Sequence, residues 1–89
     1  MLKILYTGQF KRDAKLMEKR GYKLNKLRAV IEVLVNEGTL EARHKDHPLQ
    51  GKYTGVRDCH ISPDWILIYA VVGDELRLIR TGTHSDLFV

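Results

Sequence analysis

The chain has 89 residues, of which 44% are hydrophobic and 29% charged. This composition is typical of a globular protein and argues against disorder, and the length suits a single domain over residues 1–89. Fifteen Lys and Arg against eleven Asp and Glu give a net charge of +4, which favours an anionic partner such as nucleic acid. The single cysteine, Cys59, excludes an internal disulfide framework and fits a reducing compartment.

The start of the chain and its apolar segments give no sign of export or membrane insertion. Residues 1–6 lack a basic region followed by a long apolar run. The longest apolar stretch, residues 65–72, is far shorter than the ~20 residues that a membrane-spanning helix needs. We therefore expect a cytoplasmic protein without a membrane partner.

Hydrophobic periodicity predicts a strand and two helices in the first half of the chain. The strand covers residues 2–6, Thr7 is suited to cap the first helix, and Gly21 ends that helix. A second helix over residues 23–36 carries a continuous apolar stripe and ends at Gly38.

The second half of the chain changes to strand periodicity. Residues 39–52 show no sustained period and are long for a connector, which makes them a candidate functional loop. Alternation of apolar and polar residues then predicts strands over residues 56–61, 65–72 and 75–83, joined by two tight turns. The order is β-α-α-β-β-β, an α+β fold with a mainly antiparallel sheet and the two helices on one face.

All four histidines, His44, His47, His60 and His84, lie in this second half. If the strands pair as hairpins, His60 and Asp64 share one end of the sheet. The last strand runs back toward that end and brings His84 close. Parity places Arg80 on the same side as His84 if the strand stays regular that far.

Taken singly, each of these residues has an ordinary structural interpretation. A strand histidine such as His60 is more often half buried and hydrogen-bonded, and Asp64 after a proline is a natural turn former. Together with Arg57 and Arg80 they favour catalysis. Histidine titrates near neutrality and can move protons, whereas arginine can hold a phosphate through two hydrogen bonds.

Metal binding is the competing chemistry for the same residues. His44 and His47 could bind zinc with Asp46, His60 or Cys59 as further ligands. Their spacing matches no common zinc pattern, and the strand pattern buries the only thiol. We therefore predict neither a metal nor another cofactor, and we expect His44 to be a solvated loop residue.

Four multi-residue blocks stand out in the second half. They are Lys45-Asp46-His47-Pro48-Leu49-Gln50-Gly51, Arg57-Asp58-Cys59-His60, Pro63-Asp64-Trp65-Ile66-Leu67-Ile68-Tyr69 and Arg80-Thr81-Gly82-Thr83-His84-Ser85-Asp86-Leu87-Phe88. In this order and spacing they resemble the YafQ-like branch of the RelE/ParE superfamily, the toxins of type II toxin–antitoxin systems. The resemblance covers the whole chain and implies a RelE-like fold.

The resemblance implies an mRNA interferase, an endoribonuclease that needs no metal. Such a toxin cuts mRNA in the ribosomal A site, beside the 16S rRNA, until a cognate antitoxin neutralises it. The matching catalytic residues are His47, His60, Asp64 and His84. Trp65 and Phe88 match supporting site residues and Arg80 a phosphate-binding arginine, with Arg57 and Lys45 as further candidates for substrate contact.

Metal-free RNA cleavage uses the neighbouring 2′-hydroxyl as nucleophile, so it needs a base, an acid and a cation at the phosphate. We hypothesise that His84 is the acid, that His47 or Asp64 is the base, and that His60 orients one of them. The basic face of the first helix is either a solvated surface or a contact for ribosomal RNA. Its residues are Lys11, Arg12, Lys15, Lys19 and Arg20.

Three other functions compete with this hypothesis. ParE-like members of the superfamily inhibit DNA gyrase without cutting RNA, and such a toxin has no need of a cluster of His and Asp. A non-enzymatic RNA-binding or structural domain would carry the histidines incidentally. A metal hydrolase would lose its activity to a chelator.

Overall fold

The computed structural model describes residues 1–49 and 55–88. Residues 50–52 of the predicted functional loop, and with them Gln50 and Gly51 of the first sequence block, lie outside the described residues.

The main elements follow the predicted order. They are β1 (Lys3–Tyr6), α1 (Gly8–Lys19), α2 (Leu24–Val35), a 3-10 turn (Ala42–His44), β2 (His47–Pro48), β3 (Arg57–Ser62), β4 (Trp65–Val72), β5 (Glu75–Gly82) and α3 (His84–Leu87). The 3-10 turn, β2 and α3 were not predicted, because elements of two to four residues are too short to show a period.

The described strands form one sheet in the order β1-β5-β4-β3-β2. β1 pairs in parallel with β5, and the other neighbouring strands are antiparallel. The prediction of a mainly antiparallel sheet is therefore confirmed. The parallel pairing is possible because α1 and α2 lie between β1 and the other strands in the chain, and they supply the long crossover that parallel strands require.

The side chains of β4 alternate between two faces of the sheet. On the helix face, Trp65, Leu67 and Tyr69 pack with the apolar stripes of α1 and α2 in the main core. On the opposite side, which we call the open face, Ile66 and Ile68 form a smaller cluster with the α3 residue Leu87. Full burial of each large aliphatic side chain contributes ~1.5–3 kcal/mol to folding.

Helix α1 is fixed at its start by Thr7. The Thr7 hydroxyl accepts a hydrogen bond from the Phe10 backbone N–H at 3.0 Å, which is the predicted N-cap, and donates to the Ile79 carbonyl of β5 at 2.8 Å. At the other end, Gly21 follows the helix with a φ of +92°, a conformation that glycine adopts without strain. Among the described residues, no helix is long and apolar enough to cross a membrane.

Candidate active site

Alternate residues of β3 bring two polar side chains onto the open face. Asp58 is paired with Ile68 and His60 with Ile66, so both share the face of the smaller apolar cluster. Across the short β2–β3 ladder, His47 is paired with Asp58 and lies on the same side. The side-chain period of two thus places His47, Asp58 and His60 in a row on the open face.

His84 reaches this row from α3 rather than from β5. The strand ends at Gly82, so it does not stay regular as far as His84, the first residue of α3. The imidazole Nδ1 of His84 lies 2.8 Å from Asp64 Oδ1, and the His84 backbone N–H donates to the same oxygen at 3.2 Å. The ring centroids of His60 and His84 are 5.6 Å apart, and that of Phe88 lies 6.0 Å from His84.

Helix α3 is held in place by hydrogen bonds at its first turn. Thr83 and Asp86 form a capping box, in which the Thr83 backbone N–H donates to Asp86 Oδ2 at 2.9 Å. Arg20, which directly follows α1, donates to the same carboxylate at 2.7 Å and lowers the pKa of Asp86 to about 2. A side chain at Gly82 would meet the Asp86 Cβ at 3.0 Å, so glycine allows this close approach.

Asp58 is a buried carboxylate in the middle of the histidine row. Its exposed fraction is 4%, and among the described residues its Oδ1 has no hydrogen-bond partner. His47 Nδ1 lies 3.0 Å from that oxygen, so the contact is electrostatic. Burial raises the pKa of Asp58, and the nearby His47, His60 and His84 oppose this rise. Asp58 was not among the predicted site residues, although its position two residues before His60 in the same strand indicates a shared face.

His47 is accessible to solvent, with a side chain 51% exposed. Its Nδ1 lies 2.7 Å from the Lys45 carbonyl. A carbonyl only accepts, so Nδ1 donates and the lone pair of the neutral ring is on Nε2. The preceding turn depends on Lys45 itself, which has a left-handed φ of +47° and an exposed side chain.

Arg80 is paired with Ile68, next to a register shift in the β4–β5 ladder, and its side chain is directed to α1. Its guanidinium donates two hydrogen bonds of 3.0 Å to Asp13, a buried residue of α1. The same carboxylate accepts from the Thr81 backbone N–H at 3.2 Å. Asp13 therefore fixes the direction of Arg80 and satisfies a backbone donor of β5.

Three residues have surroundings that the sequence did not predict. Trp65 is only 1% exposed and its indole N–H donates to Thr81 Oγ1 at 2.8 Å, so its ring belongs to the core. Arg57 is paired with Tyr69, which places it on the helix face, away from the histidine row. His44 is buried, not solvated, and its Nδ1 donates to the His60 carbonyl at 2.6 Å.

The described residues include no group of three or more His, Cys, Asp or Glu side chains arranged to hold a metal ion. Cys59, one of the ligands considered, is fully buried on the helix face, and burial raises its thiol pKa to about 12. A thiol that keeps its proton is a poor metal ligand.

Comparison with known proteins adds to this geometry. The family model for the bacterial toxin of type II toxin–antitoxin system, YafQ, matches residues 2–89. The mRNA interferase toxin YafQ of Escherichia coli K12 is 50% identical over 86 residues, which cover 96% of this chain and 94% of that protein.

Two solved structures share the whole fold. In the E. coli DinJ–YafQ toxin–antitoxin complex, the matching chain has a TM-score of 0.91 and 48% identity, with 99% of this chain and 98% of that chain covered. A metal-bound toxin from Helicobacter pylori has a TM-score of 0.92 and 39% identity, with 99% and 100% covered. The chain belongs to the YafQ family of bacterial type II toxin–antitoxin toxins.

Proposed function

We propose that this chain is a ribosome-dependent mRNA interferase that cleaves RNA by metal-independent acid–base catalysis. The observation that carries the proposal is the row of three imidazoles on the open face, with Asp64 bonded to one of them and Asp58 buried beside another. The similarity to the E. coli mRNA interferase YafQ supports the same activity. A ribosomal substrate implies a cytoplasmic site of action.

His84 is suited to act as the general acid. Asp64 accepts from its Nδ1, so the Nε2–H of the protonated ring points away from this hydrogen bond and is available for the leaving group. Hydrogen bonding from His84 in turn lowers the pKa of Asp64, which keeps the carboxylate ionised. This pairing supports Asp64 as the residue that orients His84, in the way that a catalytic-triad aspartate orients its histidine.

The geometry therefore favours His47 over Asp64 as the general base. Nε2 of His47 takes the proton of the 2′-hydroxyl, and the 2′-oxygen attacks the phosphorus. The P–O5′ bond breaks and the 5′-oxygen takes its proton from His84, which leaves a 2′,3′-cyclic phosphate and a 5′-hydroxyl. The buried charge of Asp58 stabilises the His47 imidazolium that forms, since it lies 3.0 Å away. We assign to His60, between Asp58 and His84, the role of orienting the phosphate.

Two cations and one aromatic ring complete the proposed site. Two hydrogen bonds to Asp13 of α1 hold the guanidinium of Arg80, so its orientation is set before a phosphate arrives. Lys45 adds an exposed ammonium next to His47. Phe88 is 39% exposed and lies beside His84, where a nucleobase can stack on it.

The complex of the relative with DinJ supports the proposal that a cognate antitoxin binds this chain as well. Because the Helicobacter pylori relative is metal-bound, the metal independence of this chain has to be tested directly. Gyrase inhibition is the alternative function. It gives no reason for the His84–Asp64 pair and the His47–Asp58 contact to lie on one accessible face.

The test is primer extension on a defined mRNA translated in a purified system, with parallel incubation of naked RNA in EDTA. The double variant His47→Ala, His84→Ala is compared with Ser85→Ala, a control on an exposed position of α3. We expect ribosome-dependent breaks with the wild type and the control, and none with the double variant. An intact message with the wild type, together with inhibition of gyrase supercoiling, would establish the alternative.

A further inference from the structure

A group of three polar residues on the helix face is not used by the proposed mechanism. The Tyr69 hydroxyl donates to Asp46 Oδ1 at 2.5 Å, and Arg57 Nε donates to the same oxygen at 3.2 Å. These three residues, which we call the Asp46 clamp, lie beside Leu34 at the end of α2. The clamp joins the segment before β2 to the first residue pair of the β3–β4 ladder, Arg57 and Tyr69.

The clamp lies directly behind His47. Asp46 is the neighbour of His47 in the chain, and successive side chains of an extended segment point to opposite faces. Asp46 is therefore directed to the helix face and His47 to the open face, where it meets Asp58. Because β2 has only two residues, its ladder alone gives His47 little support.

The backbone before His47 needs such support. Lys45 adopts a left-handed φ of +47°, a conformation that costs a non-glycine residue ~1–2 kcal/mol. The Asp46 clamp holds the chain immediately after this residue. Its anchor is firm, because Tyr69 is only 2% exposed and sits in the main core. Burial, followed by the hydrogen bond to Asp46, raises the pKa of Tyr69 and keeps its hydroxyl a donor.

We propose that Asp46 is a positioning residue, which, held by Tyr69 and Arg57, fixes the His47 imidazole beside Asp58. Arg57 then acts behind the site instead of contacting RNA. The inference deepens the proposed function, since a catalytic effect requires His47 to be the base. The placement of His47 itself does not depend on that role.

Asp46→Ala removes the shared acceptor, and Asp46→Asn keeps an oxygen that can accept from Tyr69. Glu41→Gln is the control, because Glu41 is an exposed acid on the same segment and pairs only loosely with Arg43 at 3.4 Å. Tyr69→Phe removes the donor while keeping the ring in the core. It tests the clamp even if Asp46→Ala fails to fold.

Two measurements are made at temperatures well below each variant's Tm. Multiple-turnover cleavage of ribosome-bound mRNA gives kcat and KM, and long-range ¹H–¹⁵N spectra give the tautomer of His47. For Asp46→Ala we expect kcat to fall about 10–100-fold with KM changed less than about threefold, since a misplacement of ~1 Å costs up to ~10²-fold. The Nδ1–H form of His47, held by the Lys45 carbonyl, should lose its dominance. Asp46→Asn should recover both properties in part.

Unchanged His47 spectra in Asp46→Ala and Tyr69→Phe would overturn the inference, whatever happens to cleavage. Altered His47 spectra with wild-type cleavage would support the positioning by Asp46 and refute His47 as the base. A lower Tm with both His47 signals and kcat preserved would show that the clamp only stabilises the fold, and this outcome also overturns the inference.

Discussion

His84 Nδ1 lies 2.8 Å from Asp64 Oδ1, although the two residues are 20 positions apart in the sequence. Asp64 belongs to the turn between β3 and β4, and His84 is the first residue of α3 after β5, so the contact joins that turn to the start of α3. The second hydrogen bond, from the His84 backbone N–H, ties the main chain to the same oxygen. The imidazole is thus oriented through both its ring and its backbone.

Asp64→Asn should lower kcat while leaving KM almost unchanged. The amide keeps the size of the side chain but loses the charge that orients His84 and stabilises its protonated form. We expect kcat for multiple-turnover cleavage of ribosome-bound mRNA to fall about 10–100-fold. Asp74→Asn is the matched control in the turn at the opposite end of β4. Equal rates for the two variants would refute the role of Asp64.

The pKa of Asp64 offers a test that needs no substrate. Its pKa is lowered chiefly by the side-chain hydrogen bond from His84. In His84→Gln the Asp64 pKa should rise toward its ordinary value, as followed by ¹³C NMR of the carboxyl carbon. Asp86 serves as internal control, because its pKa of about 2 depends mainly on Arg20. If the Asp64 pKa does not move, the hydrogen bond to His84 is not made in solution.

Asp58→Asn should stabilise the protein at pH 7 while lowering its activity. Burial raises the folded-state pKa of Asp58, so above that pKa the ionised carboxylate opposes folding, and its Oδ1 lacks a hydrogen bond among the described residues. Removing the charge should raise Tm at pH 7 by a few degrees, since ~1 kcal/mol corresponds to ~4–8 °C in a domain of this size. The Tm advantage should shrink as pH falls and Asp58 becomes protonated. A lower Tm at pH 7 would show that the histidines compensate the charge fully.

Sequence periodicity located the long elements well, and β4 has the predicted bounds of residues 65–72. It also brought His60, Asp64 and His84 to one end of the sheet, because hairpin topology fixes which ends meet. Side chains alternate between the two faces of a strand, so the odd spacing between Arg57 and His60 in β3 already indicates that they lie on opposite faces. The burial of His44 depends instead on a contact with the His60 carbonyl, 16 positions away, which no local pattern reveals. The Asp46 clamp likewise joins residues that are far apart in the sequence.

Acid should destabilise the fold partly through Asp86. Its folded-state pKa of about 2 is below its ordinary value of 3.8, so the unfolded chain binds the proton first as pH falls. The stability from this group is present above about pH 4 and is lost as pH falls toward 2. Arg20→Gln removes the largest cause of the shift. It should lower Tm at pH 5 and make the loss between pH 4 and 2 smaller, as measured by thermal melts monitored by circular dichroism. Parallel curves for variant and wild type would contradict the Arg20–Asp86 interaction.

The basic face of α1 remains a prediction of ribosome contact. Lys11, Lys15 and Lys19 are exposed on α1, whereas Arg20 is bound to Asp86. The double reversal Lys11→Glu, Lys15→Glu should weaken ribosome binding more at low salt than at high salt, and reduce the slope of log K against log salt by about 2. Lys3→Glu, Lys23→Glu is the control of equal charge change outside α1. Sedimentation with ribosomes over a salt series measures both variants. If they bind alike at every salt concentration, the α1 face is only a solvated surface.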